Sequence, residues 1–539
     1  MNAATRLIDY AGEVPTGLAA QMTWWSPTDA AQFGVAALGL VAALLALPRV
    51  AVIVADTLRR LPRPHLRAVL AALGIALLAR LLVPARLVLL FSGYELVERS
   101  AVLTGVHRYG AGAQVLHRLL FLFLPPDHAT LFALHRVTAW LALWPLLAWF
   151  ARWRPPPRAL VFAAVGLALL PLLVRDAATE SILVPGSLFL WSGLLLLDAP
   201  PDGKRAGDHW RAIVLLAAAA LTRPELLIVA PILGFLVVRR RGVRLTWPRV
   251  GLALLFLVLV APQLWHTIER MLQDAAQGTN RLHKLFPLGP LAVVGSFLPF
   301  WPLAFPLAWT LLALRSLWRP AEQAAWRRQL AVATYIWVFA LLVDLPQTSV
   351  PRLEAPLAAL WLLLGAWQLA ELPPVAQRWL GALVVLTTLP TLWLFAPTNE
   401  DDAERFTRAA LAQLPADGAC LVTLHESDPP DKGKVQRAFP DYLLRPPHRA
   451  VKRYAMAQWH EAGAPQCRAG TFLLIEHRCS AIFHHPANVP AMLPICADTL
   501  AQHAWQPVLQ TSAPNHGQNE YGWYPDVPAF QLGLYRLQP

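Results

Sequence analysis

The sequence predicts an all-α polytopic membrane protein of about 12 transmembrane segments, followed by a C-terminal soluble α/β domain. Hydrophobic residues make up 56% of the 539-residue chain and charged residues only 15%, which lies outside the usual range of soluble domains. Apolar runs of about 20 residues, long enough to cross the hydrocarbon core of a bilayer, recur from Gly34 to Phe395. We therefore expect an N-terminal tail at 1–33, a transmembrane domain at 34–396 and a C-terminal domain at 397–539.

The predicted single spans are apolar runs bounded by short polar or basic loops. They lie near Gly34–Val54, Ala68–Phe91, Thr130–Phe150, Ala159–Val174, Ser181–Leu197, Gly251–Trp265, Pro290–Leu314, Leu330–Val343, Ala355–Leu369 and Trp379–Phe395.

The charge pattern sets the orientation and excludes one class of partner. The net charge is +13, but many Lys and Arg residues cluster in short loops between apolar runs instead of on a nucleic-acid reading element. We therefore expect no nucleic-acid partner, and the positive-inside rule places these loops in the cytoplasm. The acidic tail 1–33, the long loop 92–129 and the C-terminal domain are then expected on the outer face.

One apolar segment, Ala212–Val238, is flanked by cationic loops on both sides, which requires an even number of crossings. At 1.5 Å per residue, about 27 residues cannot cross the bilayer twice in full. We predict two short helices broken at Thr222-Arg223-Pro224-Glu225, where Pro224 ends one helix and opens the next. The backbone N–H and C=O groups freed at such a break need protein groups or water as hydrogen-bond partners, so we expect a cavity nearby.

The outer loop 92–129 contains GAGAQVLHRLLFLFLPPD. Its apolar stripe and the basic pair His117-Arg118 predict a helix that lies in the membrane interface.

All four cysteines, Cys420, Cys467, Cys479 and Cys496, lie in the C-terminal domain. Their spacing matches no zinc motif, and their even number predicts two disulfides in an oxidising compartment. The alternative is four buried free thiols in a cytosolic domain. The strand-like runs ACLVTL, GTFLLIE and FQLGLYRL alternate with helical runs such as ADTLAQHAW, which predicts a small α/β fold. His484-His485 has no spaced third ligand and is interpreted as surface histidine.

Ionisable side chains within or beside membrane spans are costly and therefore mark functional sites. Here Arg and carboxylate residues converge on the outer face, where carboxylates can act as general bases and guanidinium groups can bind phosphate. This combination suits group transfer from a lipid-linked phosphate. The residues are Arg80, Arg86, Glu95, Glu98, His135, Arg136, Arg175, Asp176, Glu180, Arg223, Glu225, Arg352 and Glu354.

Several motifs occur in order along the chain: Arg80 followed by Gly93-Tyr94-Glu95, LFALHRV at 131–137, RDAATES at 175–181, LTRPELLIVAP at 221–231 and VPRLEAPLAALWLLLGA at 350–366. Together they resemble the polytopic GT-C glycosyltransferases, with protein-mannosyltransferases and aminoarabinose transferases as the nearest families. The resemblance implies a GT-C-like helical fold, a polyprenyl-phosphate sugar donor and a lipid, glycan or protein acceptor. It also implies a multi-pass protein of the bacterial inner membrane, an inverting reaction and a periplasmic C-terminal domain.

The resemblance assigns site residues as well. Glu95 becomes the catalytic carboxylate, Glu180 the second carboxylate, and Asp176 its rival. Some relatives hold a divalent metal ion, for which His266 is the candidate, but Tyr94-Glu95-Leu96 replaces the usual acidic pair and no cofactor is assigned. The substrate-binding residues would be Arg80, Tyr94, Arg136, Arg175, Arg223 and Arg352.

Two other functions remain open. A transporter or flippase for a lipid-linked or anionic substrate would also carry broken helices and intramembrane Arg residues, although the sequence has no inverted repeat. An assembly protein whose outer domain recruits enzymes would tolerate loss of Glu95, Glu180 and Arg352 together.

Overall fold

The computed structural model of the protein describes residues 27–83, 96–97, 99–100, 106, 110–125, 128–179, 183–198, 207–240, 246–276, 307–318, 329–330, 355–394, 399–424, 450–476, 479, 492–513, 518–519, 522–523 and 530–538. Contacts within the chain divide it into two compact units. The described part of the first lies before residue 395 and that of the second begins at residue 399.

The first unit is helical throughout its described secondary structure. Its helices are α1 (Pro27–Arg59), α2 (Arg63–Leu82), α3 (Ala111–Phe121), α4 (His128–Ala151), α5 (Pro157–Leu169), α6 (Pro171–Asp176), α7 (Leu183–Leu197), α8 (Gly207–Thr222), α9 (Leu226–Arg240), α10 (Trp247–Ala276), α11 (Leu307–Trp318), α12 (Ala355–Ala370) and α13 (Pro374–Leu394).

Within the described residues, four of these helices are long and apolar enough to cross a membrane, namely α1, α2, α4 and α10. The helices α5, α7 and α12 are apolar but shorter. Large apolar side chains such as Leu45 on α1, Leu82 on α2 and Val258 on α10 are exposed, which suits contact with lipid rather than with water. The predicted fold class is therefore supported in its coarse form, and the count of about 12 segments stays a prediction.

The core of the helical unit is built around α7 and α12, which are buried along almost their whole length. Helix α7 packs against α4 and α8, while α12 packs against α5 and α11. Glycines permit these close approaches, since a Cβ on Gly193 of α7 would crowd Leu216 of α8, and a Cβ on Gly365 of α12 would crowd Trp309 of α11. An all-round apolar helix is typical of such a buried position.

The predicted break at Thr222-Arg223-Pro224-Glu225 is confirmed. Helix α8 ends at Thr222 and α9 begins at Leu226, with a turn closed by the Leu226 N–H donating to the carbonyl of Arg223 at 3.1 Å. Pro224 lacks an N–H and cannot continue the ladder of α8. The expected cavity at this break stays a prediction.

The predicted span Ala159–Val174 differs in form, because it consists of two helices. Helix α5 ends at Leu169 and α6 begins at Pro171, with Leu170 extended between them. Pro171 disfavours helical backbone at the residue before it and then occupies the first helical position, where its missing N–H costs nothing.

The predicted interfacial helix forms as α3, but its first two turns are buried in protein. Residues 111–117 are all buried, and the helix packs against α1 and α8. Gly112 allows this approach, because a Cβ there would overlap the carbonyl oxygen of Leu221. The apolar stripe attributed to lipid contact therefore serves largely for packing within the bundle.

The second unit is a small α/β fold. A five-stranded sheet has the order β2-β1-β3-β7-β4, in which β1 pairs in parallel with β2 and β3, and β7 pairs antiparallel with β3 and β4. The three predicted strand runs are confirmed as β1, β3 and β7. The elements are α14 (Asn399–Leu411), β1 (Asp417–Thr423), β2 (Ala450–Ala455), α15 (Met456–Glu461), β3 (Thr471–Ile475), α16 (Pro494–Ala501), β4 (Trp505–Ala513), β5 (Gln518–Asn519), β6 (Gly522–Trp523) and β7 (Phe530–Leu537).

The cysteines of this unit form two disulfides, Cys420–Cys467 and Cys479–Cys496. The paired cysteines are 47 and 17 residues apart in sequence, and no free cysteine remains in the chain. The prediction of two disulfides is therefore confirmed, while the oxidising compartment stays a prediction. His484-His485 lies outside the described residues.

Candidate functional site

A small cleft with a cavity volume of about 30 Å³ lies between α2, α4, α6, α7 and α12. Most of its wall is apolar, and two ionisable residues, Arg80 and Asp176, line it. Both belong to the site residues that the sequence predicted. The complete lining is Arg80, Ala139, Ala142, Leu143, Leu146, Leu173, Asp176, Val184, Ser187, Trp191, Ala355, Pro356 and Ala359.

Arg80 lies in the last turn of α2 and is 1% exposed. A cation is favoured there because the C-terminal end of a helix carries a partial negative charge. Its Nη1 donates to the carbonyl of Ala76 at 3.0 Å, and its Nη2 donates to that of Leu167 at 3.4 Å. Among the described residues its Nε has no hydrogen-bond acceptor, and no carboxylate forms a salt bridge with it. Neutral carbonyl groups therefore hold a buried positive charge beside the cleft.

Asp176 is the last residue of the short helix α6 and is 5% exposed. The turn that follows is fixed by a hydrogen bond from the Thr179 hydroxyl to the Asp176 carbonyl at 2.9 Å. The break at Pro171 sets the direction of α6, so that its last turn brings Asp176 to the wall that Arg80 also lines. The same turn leads along the chain to Glu180.

Arg223 of the helix break is 2% exposed and bound to its own neighbour. Its Nε donates to Glu225 Oε2 at 2.8 Å and its Nη2 to Glu225 Oε1 at 3.2 Å. This is the bidentate arrangement that Arg also uses for phosphate. A phosphate that bound here would have to displace the Glu225 carboxylate.

The other described candidates lie away from the lining of the cleft. Arg136 donates from Nη2 to the carbonyl of Val83 at 2.7 Å. Arg175 is half-buried at the end of α6, and His266 is buried on α10. The described residues contain no group of three or more side chains that could hold a metal ion. The possible divalent metal ion, with His266 as its candidate ligand, stays untested.

Seven candidates lie outside the described residues, namely Arg86, Tyr94, Glu95, Glu98, Glu180, Arg352 and Glu354. Glu180, Arg352 and Glu354 are close in sequence to residues of the cleft, since Glu180 follows Asp176 and the other two precede Ala355 by only a few positions.

No protein-family model matches the chain, and no curated protein matches it either. The chain is similar to two crystal structures of ArnT from Cupriavidus metallidurans. One is bound to undecaprenyl phosphate, with 13% identity and a TM-score of 0.47, and the other is in the apo state, with 14% identity and a TM-score of 0.49. Each match covers 87% of this chain and 97% of the ArnT chain.

Likeness at this level assigns neither activity nor site residues. The functional proposal below therefore depends on the chain's own side chains.

Several residues of the cleft could not be predicted from the sequence. Ser187 and Trp191 lie in α7, which is apolar all round and carries no motif. Only the i, i+4 spacing of these two residues places them on one helical face.

Proposed function

We propose that the chain is a GT-C-type glycosyltransferase that transfers a sugar from a polyprenyl-phosphate donor to an acceptor at the periplasmic face of the bacterial inner membrane. The observation that carries the proposal is the cleft shared by Arg80 and Asp176 among apolar helices. The motif resemblance supplies the donor class.

A polyprenyl phosphate matches the chemistry of this cleft. Arg80 offers a permanent positive charge that no described carboxylate neutralises, and a buried charge is strongly stabilised by an opposite charge. Ala139, Leu143 and Trp191 offer apolar surface for the first isoprene units. A soluble anion would gain nothing from that apolar wall.

The reaction needs a carboxylate base and a stabilised leaving group. The acceptor hydroxyl gives its proton to a carboxylate while its oxygen bonds to the anomeric carbon of the sugar. The bond from that carbon to the phosphate oxygen breaks, and polyprenyl phosphate leaves with the electron pair. Guanidinium groups stabilise the charge that develops on the phosphate, and attack opposite the leaving group inverts the anomeric centre.

In this scheme Arg80 binds the donor phosphate, with Arg352 and Arg223 as further candidates. Glu95 is the base, as the resemblance implies. Asp176 or Glu180 orients the acceptor. Asp176 is the one of these carboxylates in the described structure, and it lines the cleft.

Release of undecaprenyl phosphate from synthetic undecaprenyl-phosphate sugars tests the function in proteoliposomes of the full chain. Bacterial membrane extract would supply the acceptor, and mass spectrometry would identify the glycosylated product. We expect Glu95→Gln to abolish release, since removal of a general base typically costs about 10²–10⁴-fold in rate. Glu98, interpreted from the sequence as a partner of Arg99 or a charge at the rim, is the control, and Glu98→Gln should retain most of the activity. Near-normal turnover by Glu95→Gln, at normal expression and melting temperature, would contradict the assignment of the base.

The helix break at Arg223–Glu225 favours one alternative, a transporter or flippase, because broken helices with intramembrane charge are typical of transporters. The same proteoliposomes separate the two functions. Movement of a fluorescent polyprenyl-phosphate sugar across the bilayer, with the sugar still attached to its lipid at the end, would favour the transporter.

A further inference from the structure

Two buried histidines meet between the loop helix α3 and the span α4. His117 and His135 are both fully buried, and their Nε2 atoms are 3.2 Å apart. From the sequence, His117 was predicted to contact the membrane interface and His135 was one of several outer-face charges, and no motif indicated that the two would meet.

The outward nitrogens of both rings are fixed by backbone carbonyl groups. His117 Nδ1 lies 2.6 Å from the carbonyl oxygen of Ala113, and His135 Nδ1 lies 2.8 Å from that of Thr179. A carbonyl oxygen only accepts hydrogen bonds, so each Nδ1 must carry a hydrogen. In two neutral rings both Nε2 atoms would then be bare acceptors.

The number of hydrogens that the three contacts need indicates the protonation state of the pair. Three contacts are present, namely two from Nδ1 to a carbonyl oxygen and one between the Nε2 atoms. Each contact needs one hydrogen, and two neutral imidazoles provide two in total. One additional proton completes the set, whereas without it two lone pairs would face each other in a buried site, where an unpaired polar atom is costly.

Burial acts against protonation of the pair. Desolvation, and after it the charge of the neighbouring ring, lowers the pKa of His117 to about 3, so burial opposes the first proton, which only the contact between the two Nε2 atoms favours, and opposes a second proton still more. The surroundings of the rings are apolar, with Ala113, Phe121 and Leu131 in one buried cluster.

Other charged groups occur on the elements that pack around the pair, but among the described residues none hydrogen-bonds either ring. They include Arg118 and Arg136 on the pair's own helices, Arg80 on α2, Arg175 and Asp176 before Thr179, Asp29, Arg49, Asp56 and Arg59 on α1, Arg211 and Asp208 on α8, Arg223 and Glu225 at the helix break, and Arg99 in the outer loop.

We propose that His117 and His135 form a proton-binding site that holds one proton between their Nε2 atoms. The proton would join α3 to His135, whose Nδ1–H donates to the carbonyl of Thr179 in the turn that leads to Glu180. The role of this turn in sugar transfer depends on the proposed function, whereas the proton site itself does not. In that role the two histidines are positioning residues.

The pair also lies next to the cleft along α4. His135, Ala139 and Ala142 are spaced i, i+4 and i+7, which places them on one face of the helix, and the two alanines line the cleft. A proton at the pair therefore adds positive charge one helical turn from the site proposed for the anionic donor. Donor binding should raise the affinity of the pair for its proton.

A metal ion is the competing occupant of the gap between the Nε2 atoms. Zinc sites use three or four protein ligands, and the described residues offer no cluster of three. A shared proton needs only the two nitrogens that are present. The metal is therefore an outcome that the experiment must be able to detect.

Nitrogen NMR of the full chain labelled with ¹⁵N-histidine tests the proposal without any activity measurement. We expect two Nε2 resonances, coupled to each other across a hydrogen bond, at shifts between those of bare and protonated nitrogen at pH 7. In His117→Gln and in His135→Gln the coupling should be lost and the remaining Nε2 resonance should move to the bare-nitrogen position, whereas both features should persist in the matched control His65→Gln. The coupling identifies the pair in the wild-type protein even if a variant does not fold.

Two results would overturn the proposal. One is a pair of Nε2 resonances at the bare-nitrogen position throughout pH 5–8. The other is stoichiometric zinc or copper in the purified protein that is lost in both variants. If the coupled resonances are present but no sugar transfer is found, the proton site stands and the proposed function fails.

Discussion

At the scale of single residues, Asp176 and Arg80 differ from the other candidates because the described structure places both at one cleft. Arg223, which the sequence ranked equally with Arg80, is engaged by Glu225 through two hydrogen bonds. The distinction depends on the partner of each guanidinium group. Sequence position alone does not reveal that partner.

Substitution of Asp176 tests the second carboxylate. Asp176→Asn keeps the size and hydrogen-bonding capacity of the side chain but removes its charge, and we expect the rate of undecaprenyl phosphate release to fall about 10²-fold or more. Asp56→Asn, an exposed aspartate on α1, is the matched control and should retain full activity. Activity of Asp176→Asn within twofold of wild type would remove Asp176 from the site.

At the scale of elements, α3 is held in the bundle by a close approach to α8 at Gly112. We expect Gly112→Ala to destabilise the protein by about 1–3 kcal/mol, because the added Cβ overlaps the Leu221 carbonyl and must displace one of the helices. A lower apparent melting temperature in detergent would show this effect.

Gly74 on α2 provides the control, because a Cβ there would meet nothing within 4 Å. Gly74→Ala should leave the melting temperature unchanged or raise it, since Ala has the higher helix propensity by about 1 kcal/mol. Equal effects of the two substitutions would show that α3 does not pack closely on α8.

An ionic contact joins α1 to the start of α8. Arg49 Nη2 donates to Asp208 Oδ2 at 2.9 Å and Arg211 Nη1 donates to Asp208 Oδ1 at 3.1 Å. Asp208 is 2% exposed and precedes the predicted span. Burial acts to raise the pKa of the Asp208 carboxyl, but the hydrogen bonds and charges of Arg49 and Arg211 together lower it below its usual value.

This lowered pKa gives a pH-dependent prediction. A carboxylate whose pKa is lower in the folded state stabilises the protein above its unfolded pKa of about 3.9 and loses that contribution as the pH falls. Asp208→Asn should therefore reduce the apparent melting temperature at pH 7, and the difference from wild type should narrow below about pH 4. A difference from wild type that stayed constant with pH would contradict the ionic explanation.

At the scale of the whole molecule, local features allowed the order and type of many elements to be predicted. Pro224 between two cationic loops located the helix break, and the alternating apolar runs of the C-terminal unit located β1, β3 and β7. The break at Pro171 was missed because the apolar run continues through it and hydropathy alone does not register the change in backbone direction.

Contacts between distant parts of the chain could not be predicted. His117 and His135 are brought together by helix packing, and Ser187 and Trp191 reach the cleft from a helix without a motif. Arg80 and Asp176 were individually chosen as candidates because charges in apolar segments are costly. Their shared position emerges only when α2, α4, α6 and α7 are packed together.

The affinity for undecaprenyl phosphate tests the central claim most directly. Arg80→Gln removes the buried guanidinium while keeping a polar side chain, and a hydrogen bond to a charged group contributes about 1.5–3 kcal/mol. We expect the Kd for undecaprenyl phosphate, measured by native mass spectrometry of the purified protein, to rise about 10–100-fold. Arg158→Gln, an exposed arginine in a predicted cytoplasmic loop, should leave the Kd unchanged. An unchanged Kd in Arg80→Gln, with a normal melting temperature, would contradict the assignment of the cleft as the donor site.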